Sequence, residues 1–200
     1  MKKDHSRNKL PKPITNTDID NLVDSFVKKV NTSYRDPVHI NIDKTPPSVL
    51  VGEPDFGFSD WMIRPCAEID WVEPLEQKLG CRFPAAYRSL ITRYIFPGFN
   101  AGDILFFGNT PEGTDNWELR ERIFCDPGLC DTLLPRGYIE FGKRDQANYD
   151  PICFDMNRKS MSDCPIVQID HEHAFDGIIE IIRQVAPSFW DLLQAVVDSE

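Results

Sequence analysis

Residues 68–98 read EIDWVEPLEQKLGCRFPAAYRSLITRYIFPG and contain two apolar repeats separated by a turn. The first repeat consists of Ile69, Val72, Leu75 and Leu79, and the second of Tyr87, Leu90, Ile91 and Tyr94. Both have the three- and four-residue spacing of one helix face. Asp70 is expected to cap the first helix and Gly80 to end it, while Pro84 suits the first turn of the second. The segment therefore predicts a hairpin of two helices, over 68–79 and from 84 to Pro97-Gly98.

The rest of the chain alternates short apolar runs with polar loops. Predicted strands are Ile104–Phe107, Tyr138–Phe141, Ile152–Phe154 and Ile166–Ile169. Predicted helices are 117–124 with Asp115 as cap, 174–185, and 189–197 with Ser188 as cap. Together with the hairpin, this order predicts an α+β fold: a helix hairpin, an antiparallel or mixed β-meander sheet and a C-terminal helix.

The first 65 residues read differently from the rest. Residues 16–30 predict an amphipathic helix capped by Asn16 or Thr17, and Val38–Ile42 and Trp61–Ile63 predict strands. Residues 31–65 contain five prolines, which favours loops and short edge strands. We therefore predict an N-terminal arm over 1–65, made of a basic tail, a helix and a proline-rich stretch, laid on a core domain over 66–200.

Composition narrows the class of partner. The net charge is −10, but residues 1–13 carry five Lys or Arg and one Asp, so the remainder carries −14. An acidic body repels nucleic acid and anionic membranes and favours a basic protein partner. The longest apolar runs are far shorter than the ~20 residues that cross a bilayer, and residues 1–12 do not have the pattern of a secretory signal. We expect a cytoplasmic protein whose six cysteines are free thiols, most of them small buried hydrophobes.

The turns and joints of these elements resemble a known family. The residues that carry the resemblance are Leu75-Glu76, Leu79-Gly80, Phe83-Pro84, Tyr87-Arg88, Leu90, Gly102 to Phe107, Tyr149-Asp150-Pro151 through Phe154-Asp155, Cys164-Pro165-Ile166-Val167, Asp170-His171-Glu172, Ala186, Ser188, Phe189, Leu192 and Leu193. Their order resembles the SUKH superfamily, the Smi/Knr-like cell-wall-assembly-regulator and toxin-immunity family, over roughly residues 68–197. The chain departs from the family in its long arm and in Ala101-Gly102, where a fuller Asn-Gly-Gly-like turn is common. The signature consists of folding residues, so it identifies a scaffold and not an active site.

Motifs for enzyme chemistry are sparse in the sequence. It contains no glycine-rich dinucleotide or phosphate loop, no His-Glu-x-x-His and no Gly-x-Ser-x-Gly. Two alternatives stay open: zinc held by His171 and His173 on an extended strand with Cys125 and Cys130, or a nucleophilic Cys153 or Cys164 activated by His171. We expect neither, and no catalytic residue, metal or cofactor.

The resemblance implies a non-catalytic module that binds a protein, in bacteria often as an immunity protein that neutralises a cognate polymorphic toxin. A basic toxin domain is the expected partner, without direct nucleic-acid binding or membrane insertion. Aromatic and acidic side chains on exposed loops are the candidate contacts. They are Trp117, Glu118, Glu121, Asp145, Tyr149, Asp150 and Glu172. The alternatives are an intracellular regulatory scaffold, a partner of a membrane-associated translocation component as in the related Syd-like group, and a zinc- or thiol-dependent enzyme.

Overall fold

The computed structural model describes residues 14–34, 40–41, 45, 47–66, 70–109, 118–126, 128–144, 149–160 and 162–199. The helices among them are α1 (Asn16–Lys29), α2 (Val72–Leu79), α3 (Ala85–Arg93), α4 (Glu118–Cys125), α5 (Leu129–Leu133), α6 (His171–Phe175) and α7 (Phe189–Asp198). The strands are β1 (Ile40–Asn41), β2 (Leu50–Asp55), β3 (Phe58–Trp61), β4 (Arg64–Pro65), β5 (Tyr94–Ile95), β6 (Phe99–Ala101), β7 (Ile104–Phe106), β8 (Tyr138–Arg144), β9 (Pro151–Asp155), β10 (Ile166–Ile169) and β11 (Ile181–Ala186). The predicted α+β class is confirmed.

Strands β6 to β11 form one six-stranded sheet in the order β11-β10-β9-β8-β7-β6. Every neighbouring pair is antiparallel, so of the two predicted arrangements the antiparallel meander is the one adopted. All four strands predicted for this region are confirmed, with ends shifted by up to three residues. Two smaller antiparallel sheets, β1-β3-β2 and β4-β5, complete the described strands.

The helix predicted over 174–185 is wrong. A helix covers only α6, and the chain then turns and returns as β11 beside β10, with Gln184 opposite Val167. Gly177 adopts a left-handed backbone conformation (φ 77°) just after α6, which ends a helix. The apolar residues beyond it are mostly β-branched, and a free sheet edge beside β10 gives their backbone groups partners.

The helix hairpin is confirmed, with different ends. α2 begins at Val72 instead of 68, after Trp71 and not after a capping Asp70, and it ends at Gly80 with φ 69°. α3 stops at Arg93, four residues before Pro97, because the side chain of Asn109 binds the backbone there. This amide is buried, accepts a hydrogen bond from the Phe96 N–H (2.9 Å) and donates to the Tyr94 carbonyl (2.8 Å). A contact from a distant residue therefore ends this helix.

Helix α1 begins at Asn16 and is capped by Thr15, one residue before the first of the two predicted caps. The Thr15 hydroxyl accepts a hydrogen bond from the Asp18 N–H (3.2 Å), and the Asp18 carboxylate accepts one from the Thr15 N–H (2.9 Å). These reciprocal bonds form a capping box. One face of α1 is buried against α7 and α3 through Leu22, Val23, Phe26 and Val27.

The main core is rich in aromatic rings. Phe141 and Phe154 stack at 4.4 Å between centroids, and the edges of Tyr87 and Phe189 approach them from α3 and α7. Phe26 of α1 lies 5.8 Å from Phe106 of the sheet, so α1 shares this core. A second, smaller apolar cluster lies between α5, α6 and the strands β9 and β10.

Two other predictions for the arm and the cysteines need adjustment. Of the strand predicted over Val38–Ile42, the described part is β1, and the strand predicted at Trp61–Ile63 ends at Trp61. The six cysteines are free thiols, but only Cys153 and Cys164 are buried and Cys125 is exposed. The expectation that most of them are buried hydrophobes is therefore wrong.

The division into an arm over 1–65 and a domain over 66–200 stays a prediction.

Candidate protein-binding surface

Three of the predicted contact residues meet at one end of the six-stranded sheet. Tyr149 and Asp150 directly precede β9, and Glu172 lies in α6, directly after β10. Because β9 and β10 are antiparallel, the residues that precede one strand and follow the other lie at the same end of the sheet. His171 joins the two segments. Its ring lies 6.2 Å from the Tyr149 ring and its Nδ1 is 2.8 Å from Asp150 Oδ1.

Asp150 is not the exposed carboxylate that the sequence predicts, since only 2% of its surface is accessible. One carboxylate oxygen binds His171 Nδ1 and the His171 backbone N–H, and the other accepts a hydrogen bond from Gln168 Nε2 at 2.8 Å. Burial alone would raise the pKa of Asp150, but the hydrogen bonds from His171 and Gln168 outweigh it and hold the pKa below its ordinary value. Asp150 is therefore an ionised structural anchor.

The anchor continues across the sheet to β11. Gln168 connects Asp150 to β11, because its Oε1 accepts a hydrogen bond from Arg183 Nε at 2.8 Å. The guanidinium of Arg183 also pairs with Asp103 at 2.6 Å, in the turn before β7. This chain of polar contacts connects the start of β9, α6 and the edge strand β11.

The Asp150–His171 pair supplies two of the three members of a catalytic triad, the acid and the histidine. With Asp150 ionised, Nδ1 of His171 donates the hydrogen bond that joins the two side chains. No Ser, Thr or Cys side chain in the described part of the chain is hydrogen-bonded to His171. Burial raises the pKa of the Cys164 thiol to about 12 and that of Cys153 well above its ordinary value. Neither thiol is poised as a nucleophile.

The zinc alternative depended on an extended strand at His171 and His173, and that expectation is wrong because both lie in α6. His173 instead pairs with Glu180 (Nδ1 to Oε2, 2.7 Å). Cys125 lies exposed at the end of α4, and the Cys130 thiol is directed at Asp131. Within the described ranges, no group of three or more His, Cys, Asp and Glu side chains has the geometry of a metal site.

Large apolar side chains are exposed around α6 and β11. We call this the α6–β11 surface. It consists of Tyr149, Phe175, Ile178, Ile181 and Ile182, which are 41–65% exposed. The Phe175 ring lies 6.4 Å from that of His171, so the anchored histidine has two exposed aromatic rings as neighbours. Exposed carboxylates of Glu172, Asp176 and Glu180 line the same segment.

Sequence reasoning missed most of this surface. The isoleucines of 178–182 formed a visible apolar run, but a predicted helix over 174–185 hid the edge strand to which two of them belong. Gly177, which directly precedes that run and lies inside the predicted helix, was the available signal.

Of the four other predicted contacts, Glu121 lies on α4, and the side chains of the other three are outside the described residues. Glu121 is exposed on α4, which packs on β8 and α5. Glu118 also lies in α4, but its side chain is outside the described residues, as are Trp117 and Asp145 in full. None of these four is brought to the α6–β11 surface by a contact within the described residues.

A groove of about 510 Å³ runs between α1, α3 and the segment around Lys159. Two of the three arginines that line it are neutralised, because Arg88 pairs with Glu76 at 3.2 Å and Arg93 pairs with Asp24 at 2.7 Å. This groove is therefore a weaker candidate for binding than the apolar surface.

Comparison with protein families supports the family resemblance carried by the turns and joints of this fold. The profile of the SMI1 / KNR4 family (SUKH-1) matches residues 66–195, which span the helix hairpin, the six-stranded sheet and most of α7. Comparison with curated proteins gives no match. None of the helices in the described ranges is long and apolar enough to cross a membrane. The match covers well over half of the chain, so this protein belongs to the SMI1/KNR4 family (SUKH-1).

Proposed function

We propose that this protein is a non-catalytic protein-binding module of the bacterial cytoplasm, and that it neutralises a cognate polymorphic toxin through the α6–β11 surface. The observation that carries the proposal is a set of large exposed apolar side chains within one short segment, Phe175, Ile178, Ile181 and Ile182, next to an anchored histidine. Contiguous exposed apolar side chains with a polar rim mark interaction sites on soluble proteins. Immunity to toxins is typical of the family, which makes a toxin the first partner to test.

The charges of this surface favour a basic partner. Glu172 and Asp176 are exposed and have no ion-pair partner within the described residues. Their carboxylates can orient a basic toxin domain, while Tyr149 and Phe175 supply the aromatic contact area that interface anchors provide. Asp150 contributes indirectly, by holding His171 in place next to the two rings. Glu121 remains a proposed contact outside this surface. Glu118, Trp117 and Asp145 also remain proposed contacts, and their side chains lie outside the described residues.

The test is co-expression with the toxin domain encoded beside the gene for this chain, in a bacterial host in which that domain alone stops growth. We expect the full chain to restore growth and to form a stoichiometric complex. Tyr149→Ala combined with Glu172→Lys should weaken the complex at least ~tenfold, equivalent to about 1.4 kcal/mol. Phe56→Ala combined with Glu53→Lys is the matched control, because both residues are exposed on the β2–β3 hairpin.

Three outcomes would contradict the proposal. Growth that is not restored would exclude neutralisation of this toxin. Restored growth with no stable complex, or with turnover of a substrate by the purified chain, would favour an enzyme instead. Equal loss of binding in the control variant would show that the α6–β11 surface is not the contact.

A further inference from the structure

The two edge strands of the six-stranded sheet differ in length and exposure. At one edge, β6 has three residues, and both Phe99 and Ala101 are buried. The π-helical turn after α1, Val30–Tyr34, packs beside it. Natural sheets protect an edge by such shortening and covering, because an open edge offers unpaired backbone groups to any extended chain.

At the other edge, β11 has six residues, of which 181–184 are exposed. Within the part of the chain that the structure describes, β10 is its neighbour on one side and no strand pairs with the other. Ile181 and Ile182, 41% and 46% exposed, give this edge apolar side chains. An extended edge with exposed apolar residues is the arrangement that recruits an added strand.

The charges next to β11 indicate what kind of strand fits. Four carboxylates lie within 170–180, on Asp170, Glu172, Asp176 and Glu180. Of the nearby cations, Arg183 is neutralised by Asp103 and Arg158 by Asp155. Arg136 reaches the segment only through the Gly177 carbonyl. The end of β11 nearest α6 is therefore acidic, and complementarity calls for lysines or arginines on the incoming strand.

We propose that the protein partner binds by adding an extended, lysine- or arginine-bearing segment to the free edge of β11, as a seventh strand of the sheet. The inference rests on the proposed function and specifies its binding mode. Backbone hydrogen bonds to β11 supply affinity, and Ile181 and Ile182 take the apolar side chains. The exposed carboxylates of Glu172 and Asp176, which have no ion-pair partner within the described residues, take the basic ones.

A second copy of this chain fits the same edge poorly. Pairing two β11 strands brings the two acidic segments together, which costs free energy instead of gaining it. The β10–β11 pairing is also interrupted at two places, next to Ile182 and next to Val185. Such bulges twist an edge and disfavour joining two identical, equally irregular edges, whereas a flexible segment can adapt to one.

The experiment uses the full chain and a capped peptide of alternating lysine and valine, about eight residues long, with a glutamate–valine peptide as control. Binding is measured by fluorescence anisotropy, and the site is mapped by hydrogen–deuterium exchange. We expect the lysine peptide to bind and to protect the backbone amides of 180–186. Ile182→Lys should weaken this binding at least ~tenfold, while Ile14→Lys, the same change at an exposed residue before α1, should not.

Several results would overturn the inference. These are no binding of the lysine peptide at about 1 mM, equal binding of the glutamate peptide, or protection outside β11. A dimer that Ile182→Lys dissolves would make a second copy the occupant and overturn the proposed partner. The toxin experiment separates the two proposals. Restored growth with toxin-induced protection elsewhere would overturn strand addition alone, whereas peptide binding at β11 without restored growth would overturn the toxin role alone.

Discussion

Glu140 lies in the middle of β8 with its carboxyl group buried, and Oε2 has no hydrogen-bond partner within the described residues. Burial raises the pKa of Glu140 to about 8, against the opposing effect of Arg122. The folded protein therefore keeps a proton on Glu140 at neutral pH, where the unfolded chain has lost it. Cys153 lies opposite on β9, so an acid and a thiol share this position in the sheet.

The raised pKa of Glu140 makes the folded protein less stable as pH rises. As pH rises from about 4.5 to about 8, the unfolded state releases a proton that the folded state retains, so stability falls. Glu140→Gln mimics the protonated acid and should remove this fall. We expect it to be more stable than the parent by about 1–3 kcal/mol at the upper end of this range.

Urea unfolding across that pH range measures the difference. Glu121→Gln, an exposed acid on α4, is the control and should leave the pH profile as it is. Parallel profiles for the parent and Glu140→Gln would show that Glu140 ionises normally in the folded protein.

Asp150 is the second residue whose environment decides its role. Its depressed pKa means that the stability it contributes is present above the ordinary carboxyl value of 3.8 and is lost as pH falls through the folded-state pKa. Asp150→Asn should lower the free energy of unfolding by about 2 kcal/mol at neutral pH, because it removes charged hydrogen bonds to His171 and Gln168.

Denaturant unfolding at neutral pH tests this prediction, with Asp176→Asn as an exposed control that should change stability by less than about 0.5 kcal/mol. Partner binding by folded Asp150→Asn should remain measurable. If Asp150→Asn is as stable as the parent but does not bind the partner, Asp150 is a direct contact, as the sequence predicts, and not a structural anchor.

At the scale of elements, α1 decides whether the first 65 residues act as an arm or as part of the core. Phe26 is fully buried and lies 6.2 Å from Phe99 and 5.8 Å from Phe106. The buried face of α1 therefore belongs to the same aromatic cluster as the sheet. Lys29 also reaches the Ser199 carbonyl at 2.5 Å, which ties the end of α1 to the end of α7.

Phe26→Ala should destabilise the whole protein by about 3–5 kcal/mol, as expected for a large side chain removed from a packed core. Calorimetry should show one transition at a lower temperature. Phe56→Ala makes the same chemical change at a residue that is 95% exposed and should have little effect. An unchanged main transition in Phe26→Ala would mean that the arm folds independently of the domain.

β11 shows how an element can be misassigned from local pattern. Ile178, Ile181 and Ile182 have spacing that suits a helix face as well as a strand. The choice between them is made by β10, whose free edge satisfies the backbone groups of 181–186. The same choice moves two isoleucines from an expected helix to an exposed edge.

At the scale of the whole molecule, charge should control how fast a partner arrives. The net charge of −10 and the acidic segment beside β11 attract a basic domain from a distance. Association with the proposed basic toxin domain should slow at least ~tenfold between low and high salt, with much less change in dissociation.

Stopped-flow binding across a salt series measures this effect. The double variant Glu172→Gln with Asp176→Asn should reduce the salt dependence, while Glu53→Gln, an exposed acid on β2, should not. Association that does not depend on salt would show that the acidic body has no steering role.

The sequence by itself determined the elements whose signals are local. The helix faces of α1, α3 and α7, the turn at Gly80, the Ser188 cap and the strand β10 were predicted because spacing and capping chemistry lie within one segment. The family resemblance followed from the same positions. Only the tertiary structure decided what depends on distant partners: the end of α3 at Asn109, β11 as an edge strand, and Asp150 as a buried anchor. Each of these is set by hydrogen bonds between segments far apart in sequence, which no local pattern records.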